Sequence, residues 1–281
     1  MGKANMVKAK ARIAAGVMLA LGGFLPGGPA SASESGLAVD FEVYIGGFQV
    51  AKADLDLGLY KDCFDLRLAT EPYGIVSFFS PFKLVSSADG CSKGAGVVPA
   101  SYSVDYFKDG RKKRWVRVDY KGDGGPLIRA EPAPEDDNRK AVPSALRAGS
   151  LDPLTGVFGI IEAVTREGRC AGERPVYDGR RLFRLKLSHV GPAELPPSSY
   201  AAYAGPAIEC LVQVETVAGF KKSEIRKKHF PERVKVYLAE AVAGAPLLPV
   251  RLEADYRFGQ IRVHAARIAP GQRPTEETRA R

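Results

Sequence analysis

Cysteines, histidines, carboxylate pairs and two basic clusters are where side-chain chemistry beyond packing can arise in this sequence of 281 residues. No two of Cys63, Cys91, Cys170 and Cys210 are spaced C-x-x-C, which argues against a zinc knuckle or a dithiol redox pair. An even number of cysteines in an oxidising compartment is most simply two disulfides. Three pairings are open, and Cys170 with Cys210 and Cys63 with Cys91 are favoured because each joins segments close in the strand order set out below. His189, His229 and His264 are far apart and read as strand-edge or surface residues. Carboxylates such as Asp136 and Asp137 fall in a polar loop and are expected to be solvated. There is no G-x-S-x-G, no H-E-x-x-H, no phosphate-cradling glycine loop and no dinucleotide fingerprint. The sequence therefore nominates no catalytic residue, metal or cofactor, and the chain reads as a non-enzyme.

The basic residues suggest binding. Arg111-Lys112-Lys113-Arg114 precedes Trp115, the only tryptophan, and Lys221-Lys222 with Arg226-Lys227-Lys228 forms a second cluster. They are a contact surface for anionic lipid or an acidic partner, or else solvated edges that discourage sheet aggregation. Asp178-Gly179-Arg180 reads as a turn opening a strand, with Asp178 accepting backbone or arginine hydrogen bonds. Arg180, Arg181 and Trp115 are the candidate binding residues.

The elements that position these groups begin after residue 32. Lys3, Lys8, Lys10 and Arg12 precede an apolar run of about 13 residues, and Ala30-Ser31-Ala32 offers small-x-small cleavage chemistry. A spanning helix needs about 20 residues. Residues 1–32 are therefore expected to be a signal peptide, and the mature chain a soluble, not membrane-spanning, periplasmic protein. Without the four basic residues of that signal the net charge of +9 falls to +5, too small and dispersed to argue for nucleic acid.

Leu37, Val39, Phe41, Val43 and Ile45 alternate with Ala38, Asp40, Glu42 and Tyr44, the period of a half-buried strand. Gly46-Gly47 turns the chain, and a change of apolar phase between 50 and 53 hints at a bulge. Phe64, Leu66 and Leu68 continue the pattern. Residues 73–85 read as a strand pair, 86–96 as a glycine- and serine-rich loop containing Cys91, and Asp109-Gly110 as a hairpin turn. Residues 130–143 are a polar, proline-rich loop or linker, the one internal boundary the sequence offers. Asp152-Pro153 starts the one long helix, which ends near Gly168. Strands return around 181–187, 207–217, 233–242, 248–257 and 259–268, and the charged tail 269–281 is expected to be disordered. The expectation is a mainly β domain over 33–268. Its large antiparallel sheet curls into a half-open barrel, with the helix packed on the concave side.

The blocks Asp152-Pro153-Leu154, Cys170 to Leu187 and Tyr203 to Cys210, followed by Ala218-Gly219-Phe220, Val234 to Ala239, Leu248 to Arg251 and the strand after Gly259, resemble a bacterial periplasmic family, domain-of-unknown-function family number 3108. The Tyr44-to-Gly47 hairpin fits as well, while Cys63 and Cys91 lie outside the pattern. The resemblance implies an exported β protein similar in outline to lipid or lipoprotein carriers of the LolA and LolB kind. The functional expectation is an envelope protein that binds a lipid or hydrophobic ligand in an apolar groove. The alternative is a scaffold for other envelope proteins, its interior simply a core.

Overall fold

Apolar and polar residues alternate strand after strand, and in the computed structural model this pattern builds one antiparallel sheet of thirteen strands. The structure describes residues 35–120, 125–133, 136–137, 139–226, 231–256 and 259–271. The first wing is β1 (Ser35–Ile45), β2 (Phe48–Tyr60), β3 (Cys63–Pro72), β4 (Phe82–Lys93), β5 (Gly96–Lys108), β6 (Arg111–Asp119) and β7 (Leu127–Glu131). The second is β8 (Ala171–Tyr177), β9 (Leu182–Leu195), β10 (Gly205–Ala218), β11 (Arg233–Ala239), β12 (Leu248–Tyr256) and β13 (Gly259–Pro270). Each wing is a meander, and the pairing of β1 with β13 joins them, leaving β7 and β8 as the edges.

The two edges approach without closing. Leu151 bridges Val176 of β8, and a Cβ on Gly179 would lie 2.2 Å from Val116 Cγ1 of β6. At φ +87° Gly179 also occupies backbone space that other residues rarely adopt, so the turn after β8 requires glycine twice over. The segment between β7 and the long helix fills the remaining seam, burying Val142 against Tyr177 and Leu182. The described residues of 130–143 thus pack into the fold and do not form a boundary.

The long helix α3 (Pro153–Glu167) forms for the reasons its sequence suggests. Asp152 accepts a hydrogen bond from Thr155 N at 2.9 Å, Pro153 occupies the first turn, and Gly168 ends the helix at φ 67°. Gly156 and Gly159 let it approach closely, since added Cβ atoms would stand 3.0 Å from Val176 and 2.6 Å from Val97. Phe158 lies against Phe64, ring centroids 4.2 Å apart. Ser92 donates to Glu162 at 2.5 Å and Arg166 to the Ala95 carbonyl at 3.2 Å, so the C-terminal part of α3 covers the sheet near the β4–β5 turn. The main core, with Val39, Leu57, Phe64, Val250 and Ala265, lies around Phe158.

Both favoured disulfides are present. Cys63 stands opposite Cys91 in the β3–β4 register, and Cys170 joins the start of β8 to β10. Their loops of 28 and 40 residues correspond to about 3.5 to 4 kcal/mol each in the chain-entropy model. No helix among the described residues is long and apolar enough to cross a membrane.

Several expectations need correction. Cys91 is not in a loop, because β4 runs unbroken through the serine-rich stretch. Residues 73–85 are not two strands: Ile75–Phe79 form a one-turn helix, α1, before β4 begins. The short helices α2 (Ser144–Arg147) and α4 (Lys222–Arg226) were not expected either. The β2 irregularity falls at Val50, skipped where Val43 pairs with Ala51 and Tyr44 with Gln49. β13 reaches Pro270, and Gly271 N donates to the Gly36 carbonyl, so the strand takes the first residues assigned to the tail. The signal segment, the rest of the tail, His229 and Lys227-Lys228 lie outside the described residues.

Candidate functional site

An antiparallel meander puts alternate connections at the same end of the sheet. One end carries the β1–β2 and β5–β6 hairpins, α1, the β8–β9 turn and the β10–β11 connection. The helix α3 covers the concave face near the other end. Where its first turn stops, at Pro153 and Leu154, a groove of about 1370 Å³ lies between the two wings. Leu68, Leu84, Val104 and Tyr106 line it from the first wing, and Phe183 and Val214 from the second. The volume exceeds the roughly 300–1,000 Å³ of most small-molecule pockets.

Charge gathers in part of this groove. The β8–β9 turn is built as its sequence suggests: Asp178 Oδ1 accepts from Arg180 N at 2.9 Å and Arg181 N at 2.7 Å, and Oδ2 accepts from Arg181 Nε at 2.7 Å. This turn aims both arginines across the seam. Asp137, expected to be solvated, is instead 5% exposed. It accepts from Lys221 Nζ and Arg139 Nε, each at 2.8 Å, and from Arg114 Nη2 at 3.1 Å. Arg139 reaches onward to Glu224 at 2.7 and 2.8 Å and to the Gly219 carbonyl at 3.0 Å. Burial alone would raise the Asp137 carboxyl, but the hydrogen bonds from Lys221 and Arg139 and the charge of Arg114 outweigh it and hold it at about 2.

Arg180 is the exception in this network. Its side chain is about nine-tenths buried at the groove wall. Nη2 donates to the Pro132 carbonyl at 2.6 Å, whereas Nη1 has no hydrogen-bond partner among the described residues and stands 3.8 Å from Asp137 Oδ2. Burial lowers its pKa, and the cations of Arg114 and Arg139 push the same way. Arg114, Arg139, Arg180, Arg181 and Lys221 form ion pairs with Asp137, Asp178 and Glu224, so in these pairs cations outnumber carboxylates five to three. A buried guanidinium with an unused donor in a cationic cluster is suited to an anion.

Residues 40–266 match the profile of DUF3108, a family of proteins of unknown function. This chain belongs to that family. No curated protein matches it.

All three candidate binding residues border the groove of this DUF3108 protein: Arg180 and Arg181 from the β8–β9 turn, Trp115 from β6. The second basic cluster contributes Lys221 through Asp137. Sequence reading missed Asp137, Arg139 and Glu224, whose partners lie up to 85 residues away. The only signal was that a supposed linker mixed both charge signs beside Val142. His264, expected at an edge or on the surface, is buried in β13 between β1 and β12, near the Tyr44 ring. His189 accepts from Cys170 N at 3.4 Å beside a disulfide. Among the described residues no three His, Cys, Asp or Glu side chains converge as a metal site.

Proposed function

We propose that this chain is a periplasmic binding protein that holds an amphiphile in the groove and acts by binding, without catalysis. The apolar part of the ligand, an acyl chain or its equivalent, lies along Leu68, Leu84, Val104 and Phe183, and its anionic head meets Arg180. The observation that carries this reading is the unused donor of a buried arginine at one wall of a large, mostly apolar groove. A fully packed interior would need neither the volume nor the charge. Two disulfides favour an oxidising compartment, consistent with export. The proposed role is of the kind filled by LolA- and LolB-like carriers.

The test is native mass spectrometry of the mature protein purified from a periplasm, with organic extraction of whatever it carries. A stoichiometric acidic amphiphile, lost from Arg180→Gln, is the expected result. A wild-type protein that is empty and also fails to take up a fluorescent fatty acid overturns the proposal.

A further inference from the structure

The end of the sheet where the groove lies also carries the most exposed apolar side chains of the described chain. In α1, Phe78 and Phe79 are 83% and 84% exposed and Ile75 is 72% exposed. Phe48 on the neighbouring hairpin is 79% exposed. These residues are contiguous: Tyr73 N donates to the Val50 carbonyl at 2.8 Å, and Gly74 lies beside the Gln49 carbonyl. On the other flank, Phe82, just after α1, pairs with Lys108 in register and stacks on Tyr106 with ring centroids 6.1 Å apart. The aromatic tip and the basic β5–β6 hairpin therefore form one surface.

Cations surround that tip. Lys83, Lys108, Arg111 and Lys113 are exposed and make no ion pair among the described residues, while Lys112 is held by Asp105 at 3.1 Å. Lys52 lies over the Tyr73 ring, 4.1 Å from its centroid. Of the acids beside it, Asp105 is already engaged by Lys112 and Arg117. Stacked aromatics buried in a packed interface are typically flanked by neighbours that exclude water. Here a one-turn helix leaves its phenylalanines exposed, near lysines and an arginine that make no ion pair among the described residues.

We infer that this end of the molecule docks on an anionic lipid bilayer, with Phe48, Ile75, Phe78 and Phe79 inserted among the headgroups and the β5–β6 hairpin held to lipid phosphate. Aromatic and aliphatic side chains beside lysine and arginine are the composition that partitions into a charged membrane interface. The surface stands whether or not the groove carries an amphiphile. Were both true, docking would bring the groove's basic wall close to the lipid.

The experiment is sedimentation of the mature, disulfide-bonded protein with vesicles of equal parts phosphatidylglycerol and phosphatidylcholine, against vesicles of phosphatidylcholine alone. Wild type is expected to partition to the anionic vesicles. Phe78→Ser with Phe79→Ser should weaken that partitioning by about tenfold or more. Lys83→Glu with Arg111→Glu should remove the preference for anionic lipid, at about fivefold per charge lost. Neither pair lines the groove, so uptake of fluorescent fatty acid should persist in both, separating failure of docking from failure of ligand binding. Wild type that ignores both vesicles, or binds as well without the two phenylalanines, overturns the inference. So does a dimer that the serine substitutions dissociate while vesicle binding is absent, since the tip would then serve a second copy of the chain.

Discussion

The two halves of the concave face obey the same strand alternation and end differently. Near the β4–β5 turn, α3 lies on the sheet, Phe158 meets Phe64, and Val39, Val250 and Ala265 are buried in a dry core. Toward the β5–β6 hairpin the inward side chains continue as Leu84, Val104 and Tyr106, but the helix has stopped at Asp152, and these residues line a groove. A helix of 15 residues spans about 22 Å, whereas β5 of 13 residues spans more than 40 Å. One helix therefore cannot cover strands of this length. Part of the uncovered remainder receives charge from the β8–β9 turn and from Asp137 and Arg139, which is why a groove and a core share one sheet.

Removing the anchor of the dry half should give the largest effect. Phe158→Ala deletes a ring packed on Phe64 and should cost about 3–5 kcal/mol in urea unfolding. A loss under about 1 kcal/mol would mean that the helix is not a core element and that the two halves are alike.

A second comparison uses one carboxyl from each half. Asp152, fully buried at the start of α3, is raised by burial to about 6, and Oδ2 has no hydrogen-bond partner among the described residues. Asp137, held by cations, is lowered to about 2. Between their ordinary value near 4 and pH 6, only the folded state keeps the Asp152 proton, so stability falls as pH rises through that window. From pH 4 down to 2 the unfolded state takes up the Asp137 proton first, so stability falls as pH drops. Together the two place a stability maximum near pH 4, with flanks of about 1–3 kcal/mol. Asp152→Asn, which keeps a good helix cap, should flatten the upper flank only, and Asp137→Asn the lower flank only. Chemical denaturation across pH 2–8 measures both, and an unchanged upper flank in Asp152→Asn would remove the contrast.

The dry half was legible in the sequence because its rules are local. Period-two alternation located β1 to β3 and β10 to β13, and an N-cap aspartate, a first-turn proline and a terminal glycine framed α3. The turn at Asp178 was readable for the same reason: the acceptor and both arginines sit within three residues. The groove was only partly legible. Arg180, Arg181 and Trp115 stood out, but Asp137 and Arg139 looked like solvated linker because their partners come from strands and loops far along the chain. Residues 73–85 misled for another reason. Aromatic and β-branched residues usually signal a strand, and here those of 75–79 form an exposed helical turn.

The smallest expected effect tests the same contrast by adding volume instead of removing it. Val39 is 1% exposed in the dry half, and a phenylalanine there has nowhere to go, so Val39→Phe should cost about 1–3 kcal/mol or more by overpacking. Val104 points into the groove, where a benzyl group displaces solvent and gains apolar contact with its neighbours. Val104→Phe should therefore change stability by less than about 1 kcal/mol, in either direction, while shrinking the space along which an acyl chain would lie. Paired urea titrations of the two variants, with fatty-acid uptake by the Val104 variant, separate the halves in one experiment. Equal destabilisation by both would mean that the groove closes on itself in solution. Loss of uptake with stability intact would mean that the sheet keeps this half uncovered for a ligand.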